Sequence, residues 1–152
     1  MAHSLRNLSL ALMLLAAASL HAQKRPDFSG TWVTVSPADG AGQEQVVTQT
    51  ATTLSVSHGS EGGHHAMTYK LDGSESRNEL TSHGDKILTV SRATWKGEQL
   101  TITSSTTYPD GRKLDQVATW SFDGKGQLVI DVTETMTGRP AETFKVISRK
   151  KS

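Results

Sequence analysis

The stretch "RPDFSGTWVTV", Arg25 to Val35, marks a change in the character of the chain. Before it, an unbroken run of apolar and small residues extends from Leu8 to Leu20. After it, the sequence is polar, rich in threonine and divided by frequent turn signals. The Gly-Thr-Trp step that ends at Trp32 places a large aromatic side chain where this second part begins, so we take it as the start of the first strand.

The apolar run has the length of a signal-peptide core and is shorter than the roughly twenty residues of a membrane-spanning helix. We therefore predict a signal peptide over residues 1–22, with cleavage after Ala18 or Ala22, and a domain over residues 23–152. A retained membrane anchor is the alternative. The exported protein is expected to be periplasmic or extracellular, with no membrane span in the mature chain.

Charge and cysteine content exclude several classes of protein. The chain has 16 Lys and Arg residues against 15 Asp and Glu residues, so its net charge is +1. This balance argues against electrostatic binding of nucleic acid. The chain has no cysteine, so an exported domain must be stable without disulfides. We expect a monomer.

Seven segments after the first strand are rich in Thr, Val, Ile, Tyr and Trp, the residues that favour strands. They span residues 46–58, 64–71, 86–95, 98–108, 113–122, 127–136 and 142–148. Turn signals with Gly, Asn or Asp separate most of them at roughly eight to fifteen residues, as in sequential antiparallel neighbours. The sequence predicts an all-β antiparallel up-and-down meander of eight or nine strands.

Closing such a meander into a barrel removes its exposed edges. Alternation supports one buried face, because Leu128, Ile130 and Val132 fall on the same side of their strand. A Lys96-Gly97 turn would place Ala93 opposite Leu100, which alternates small and large side chains as a barrel interior requires. A sandwich of two sheets would show much the same pattern.

The "FSGTW" stretch resembles the Gly-x-Trp signature on the first strand of lipocalins and related calycin barrels. The likeness covers nearly all of the mature chain and is closest to small secreted bacterial lipocalin-like domains, most of them of unassigned function. It implies that Trp32 closes one end of the barrel against a basic residue of the last strand, here Arg149. It also implies that Gly30 lets the chain turn closely into the barrel and that Phe28 plugs the same end.

Departures from typical lipocalins concern the cavity. The chain lacks their disulfide, their carboxy-terminal helix and the Thr-Asp-Tyr step of their middle hairpin, and it is shorter. A full-sized lipocalin cavity is therefore not implied.

A histidine-containing segment, Ser55 to Tyr69, favours a hairpin. Pairing Val56 with Met67 would set His58 opposite His65. Two facing imidazoles, with Glu61 as a third ligand, would suit Zn²⁺ or Cu²⁺. The alternative is that these histidines are solvated.

Catalytic signatures are missing from the sequence. It has no Gly-x-Ser-x-Gly step, no cysteine nucleophile and no phosphate-binding glycine loop. Asp72, Asp110 and Asp123 each precede a glycine in a turn, which accounts for them. Trp95 and Trp120 could stack on a flat ligand or fill the core. We predict no enzymatic activity and no cofactor.

The remaining hypothesis is a secreted, non-enzymatic barrel that binds a small apolar or amphipathic ligand. The alternative is a structural or interaction module of the cell envelope whose barrel is filled. The predicted ligand-binding residues are those expected on the interior face: Leu54, Val56, Met67, Tyr69, Leu100, Ile102, Trp120 and Leu128.

Overall fold

The computed structural model describes residues 24–60, 63–82 and 84–152, so the predicted signal peptide lies outside the described residues. Ten strands and one short 3-10 turn, Ala38–Gly40, follow one another along this part of the chain. The strands are β1 Gly30–Ser36, β2 Glu44–Gln49, β3 Thr53–Ser60, β4 Gly63–Lys70, β5 Glu75–Ser82, β6 Asp85–Lys96, β7 Gln99–Thr107, β8 Lys113–Phe122, β9 Leu128–Met136 and β10 Glu142–Lys150.

All ten strands belong to one antiparallel sheet in the order β4-β3-β2-β1-β10-β9-β8-β7-β6-β5. Consecutive strands pair with each other except β4 and β5, and β1 pairs with β10, where Trp32 lies opposite Lys150. This pairing bends the meander into a nearly closed barrel and confirms the predicted fold class. Within the described ranges no helix is long and apolar enough to cross a membrane.

The structure has ten strands rather than the predicted eight or nine, because one hairpin turn and one strand were not predicted from the sequence. The predicted strand 46–58 is a hairpin, whose turn is held by the Thr50 hydroxyl oxygen accepting the backbone N–H groups of Thr52 and Thr53 at 3.2 and 3.0 Å. That turn contains no Gly, Pro, Asn or Asp. Strand β5 was not predicted because Leu80 is its only large apolar residue.

Strand registers follow the predicted pattern in one hairpin and differ in another. The β3–β4 pair has Val56 opposite Met67, as predicted. In the β6–β7 pair, Ala93 lies opposite Ile102 rather than Leu100. The turn is Gly97-Glu98 instead of Lys96-Gly97, with Gly97 at φ +62°. Because the error is two residues, every side chain keeps the predicted face.

The barrel wall has a seam between β4 and β5, the two ends of the strand order. Side chains of β5 take the place of the missing backbone ladder there. The Asn78 amide accepts the Thr68 N–H at 2.9 Å through Oδ1 and donates to the Thr68 carbonyl at 3.0 Å through Nδ2. The Lys70 N–H donates to Ser76 Oγ at 2.8 Å. These three hydrogen bonds satisfy edge groups that would otherwise face solvent.

One end of the barrel is closed by five aromatic side chains, which we call the aromatic end: Phe28, Trp32, Trp95, Trp120 and Phe122. Phe28 is completely buried at its centre, with its ring centroid 5.1 to 6.0 Å from those of three of the others. The Trp32 indole N–H donates to the Phe28 carbonyl at 2.9 Å. Such contacts between aromatic rings stabilise beyond the area they bury.

The cation over Trp32 is Lys150, not the predicted Arg149. Lys150 Nζ lies 5.7 Å from the Trp32 ring centroid. Arg149 lies opposite Val33 and is exposed. Since successive strand residues point to opposite faces, Lys150, directly opposite Trp32, shares its face, whereas Arg149 points to the other side. Gly30, at φ +146°, allows this approach, because a Cβ there would lie 2.6 Å from Lys150 Cε.

We predict that Trp32→Ala lowers the free energy of unfolding by about 3 to 5 kcal/mol, since it removes a nearly fully buried indole. Lys150→Ala should cost about 0.5 to 1 kcal/mol, the range for an exposed cation–π contact. A double-mutant cycle by urea denaturation should give a coupling energy for Trp32 with Lys150 and none for Trp32 with Arg149. Coupling to Arg149 instead would contradict the register of β1 and β10.

We predict that Asn78→Ala weakens the seam by about 1 to 2 kcal/mol, because two hydrogen bonds are lost and each contributes about 1 kcal/mol net. Hydrogen exchange of the Thr68 amide should accelerate by a matching factor. Thr81→Ala, at an exposed position of the same strand, is the control and should change stability by less than about 0.5 kcal/mol. Unchanged protection of the Thr68 amide would show that Asn78 does not hold the seam.

Candidate functional site

A cavity of about 260 Å³ lies inside the barrel beside the aromatic end. Its position follows from alternation along the strands. On β8, Trp120 belongs to the aromatic end. Ala118 and Gln116, two and four residues before it, lie on the same inward face and line the cavity. The small Ala118 and the flexible Gln116 leave space where larger apolar residues would have filled the barrel.

The greater part of the cavity wall is apolar. Strands from opposite sides of the barrel contribute to it, because the sheet wraps around the space. The apolar lining residues are Val56, Met67, Ile102, Ala118, Trp120, Ile130, Val132 and Val146, and the polar ones are Thr34, Gln43, Glu44, Gln45, His58, Tyr69 and Gln116.

Four polar side chains of the wall form no hydrogen bond with another described residue: Gln43, Gln45, His58 and Tyr69. Gln43 and His58 are exposed, Tyr69 is half-buried and Gln45 is buried. Gln45 is only 8% exposed. It lies directly opposite His58 in the β2–β3 pair, so both side chains occupy the same face at neighbouring positions. The fully buried side-chain atoms that lack a partner in the described chain are Ser91 Oγ and Trp95 Nε1, so the polar atoms of Gln45 keep access to the cavity. Gln45, His58 and Tyr69 can therefore offer hydrogen bonds to a molecule in the cavity.

Two other polar side chains near the cavity, those of Gln116 and Glu44, are already engaged. Gln116 Nε2 donates to Glu134 Oε2 at 3.2 Å. The Glu44 carboxylate forms an ion pair with Lys151 at 2.6 Å. No Lys or Arg is among the described residues that line the cavity. The wall thus presents hydrogen-bonding groups without a positive charge.

Burial keeps two of the free polar groups uncharged at neutral pH. It raises the pKa of Tyr69 to about 12, so the phenol stays a hydrogen-bond donor. It lowers the pKa of His58, because the barrel wall desolvates the imidazole although part of the residue reaches solvent. Both side chains therefore present uncharged hydrogen-bonding groups to the cavity.

The structure divides the predicted ligand-binding residues into two groups. Val56, Met67, Tyr69, Ile102 and Trp120 line the cavity. The other three pack in the core with no exposed surface and do not line it: Leu54, Leu100 and Leu128. All eight share the interior face, but alternation identifies a face and not a level along the barrel axis.

Sequence reasoning missed the glutamines of the cavity wall. Gln45 and Gln116 were not considered because a glutamine in a strand is normally read as solvent-facing. The signal that could have found Gln116 is its spacing, two and four residues before Ala118 and Trp120 on one strand. Gln45 is related to the buried Val47 in the same way.

The two predicted histidines face each other, since His58 lies opposite His65 in the β3–β4 pair. Glu61, the predicted third ligand, lies outside the described residues, as does His83. In the part of the chain that the structure describes, no group of three or more His, Asp or Glu residues is arranged to hold a metal ion. Binding of Zn²⁺ or Cu²⁺ stays a prediction.

The remaining candidate residues have structural roles. Asp72, Asp110 and Asp123 each accept the backbone N–H two residues further on, at 2.8 to 3.0 Å, as the turn interpretation predicts. Trp95 stacks on Phe28 at an interplanar angle of 3°, with the Arg25 guanidinium 5.4 Å from its ring centroid. Trp120 is the tryptophan that contributes to the cavity wall.

Comparisons with protein-family models and with curated proteins find no match for this chain. The nearly closed antiparallel barrel is consistent with a lipocalin-like fold. The functional argument therefore depends on the cavity itself.

We predict that the wild-type protein loses about 1 kcal/mol more stability than Tyr69→Phe between about pH 9 and pH 11. An unfolded tyrosine titrates near its ordinary pKa of about 10. Above that pH the unfolded state has lost a proton that the folded state retains, so stability falls as the pH rises. Urea denaturation of both proteins at the two pH values measures the difference. Equal losses would show that the Tyr69 phenol is not desolvated.

Proposed function

We propose that the protein is an exported, non-enzymatic barrel that binds a small amphipathic molecule in its interior cavity. The observation that carries the proposal is the combination of an apolar wall with hydrogen-bonding side chains that have no protein partner among the described residues. Ligand sites are commonly of this kind: mostly apolar, with a few polar groups that fix orientation.

The volume of the cavity limits the size of the ligand. An engineered cavity of about 150 Å³ holds benzene, and sites for drug-sized ligands begin at about 300 Å³. At about 260 Å³, this cavity suits a molecule of the size of two fused rings. A long acyl chain would have to extend out of the barrel into solvent.

The alternative, an envelope module with a filled barrel, expects side chains to occupy the interior. The cavity favours the ligand-binding proposal over this alternative. We further propose that the fold is related to the small secreted bacterial lipocalin-like domains, on the strength of Gly30 and Trp32 at the closed end. Export to the periplasm or the exterior is part of the same proposal and is supported by the apolar run, Leu8 to Leu20.

Two variants on one strand test the proposal. Ala118→Phe places a ring in the cavity, because Ala118 lines it. Val117→Phe places the same ring outside the barrel, since Val117 is 43% exposed. We expect native mass spectrometry of protein purified from the periplasm to show a bound small molecule with the wild type and Val117→Phe but not with Ala118→Phe. Equal ligand occupancy in all three proteins would contradict binding in this cavity.

A further inference from the structure

The chemistry of the cavity wall restricts the class of ligand further, on the premise that the proposed function is correct. We infer that the ligand is an uncharged molecule of about two fused rings that carries a carboxamide, a lactam or an equivalent donor–acceptor pair. We also infer that Gln45 is the residue that recognises this group. Carboxylates of the same shape are excluded.

Gln45 is a buried glutamine of the cavity wall. Its side chain is 8% exposed and forms no hydrogen bond with the described residues. It is not among the fully buried unpartnered groups of the described chain, so its amide stays accessible from the cavity and can exchange water for a ligand. A glutamine amide offers donors on one atom and acceptor positions on the other. A carboxamide is its complement, since the two groups can exchange two hydrogen bonds side by side.

Two further side chains of the cavity wall add uncharged hydrogen-bonding groups. His58, directly opposite on β3, is held neutral by burial, so its ring has one donor and one acceptor nitrogen. Tyr69 adds a hydroxyl donor on β4. His58 and Tyr69, like Gln45, can each form hydrogen bonds with a neutral polar group in the cavity. None of the three carries a charge at neutral pH that would favour an ion.

The charges around the cavity disfavour anions. No Lys or Arg is among the described lining residues, and Lys151, which contacts the lining residue Glu44, is already paired with its carboxylate. Glu134 adds a second carboxylate behind Gln116. A bound carboxylate would lose its hydration without gaining an opposite charge, which is strongly unfavourable in a mostly apolar site. An ammonium group would also lose its hydration in a mostly apolar site, and the one carboxylate among the described lining residues, Glu44, is already paired with Lys151.

The cavity wall also contains aromatic and sulfur-containing side chains. Trp120 and Tyr69 present aromatic surface to the cavity, and Met67 contributes a thioether. Aromatic rings and methionine sulfur both interact favourably with a flat π system. Together with the volume of about 260 Å³, these side chains favour a compact ring over an extended chain.

Three probes of one shape test the inference: 2-naphthamide, 2-naphthoate and 2-methylnaphthalene, titrated calorimetrically into the full chain at about pH 7.5. We expect 2-naphthamide to bind at least about tenfold more tightly than 2-naphthoate. Gln45→Leu should weaken 2-naphthamide about tenfold and leave 2-methylnaphthalene within about twofold. Gln99→Leu, which changes an exposed glutamine on β7, should alter neither affinity.

The outcomes separate this inference from the proposed function. If 2-naphthoate binds as tightly as 2-naphthamide, or if 2-methylnaphthalene alone binds, the cavity binds ligands but the uncharged-amide class is wrong. If Gln45→Leu leaves the 2-naphthamide affinity unchanged, Gln45 is not the recognition residue. If no probe binds at millimolar concentration, both proposals fail. The comparison of probes on the wild type decides the ligand class even if Gln45→Leu does not fold.

Discussion

The pairing of β1 with β10 is the constraint on which the rest of the structure depends. Among the strand pairs of the described chain it is the one that joins distant parts of the sequence, and it turns a linear meander into a barrel. It also brings Trp32 beside Lys150. Without it, the sheet would have no interior, and the aromatic end would have no opposite wall. The close approach at Gly30 and the buried indole of Trp32 are the local means by which the sequence specifies this pairing.

The interior has two levels with different chemistry, and the same alternation of strand side chains produces both. At one level, the aromatic end and the fully buried leucines pack together in the core. At the next, Ala118, Gln45 and Gln116 stand in place of large apolar residues, so that a cavity remains with polar groups in its wall. Packing at the first level supplies stability, and this allows the second level to retain hydrogen-bonding groups without a partner among the described residues.

The sequence predicts more of the fold than of the site. Strand-forming residues and Gly or Asp turns predict the meander, and the pairing of Val56 with Met67 follows from burial of one face. The hairpin turn at Thr50 was missed because hydroxyl hydrogen bonds replace the usual turn residues. The cavity was predicted only in part, because side-chain volumes at one level depend on strands far apart in sequence. Gln45 shows this best, since only the closed barrel makes it a buried residue.

The place of the seam has a consequence for folding kinetics. All strand pairs in the described chain are local except β1 with β10, whose partners are separated by more than one hundred residues. The pairing of β1 with β10 raises the contact order of an otherwise local fold. Because bringing such distant strands together costs chain entropy, it slows folding. A circular permutant that starts at β5 and ends at β4 would have every strand pair adjacent in sequence. It would keep the same strand order and move the long-range contact from a full backbone ladder to the side-chain hydrogen bonds of the seam. The topology thus separates how fast the barrel forms from what it encloses.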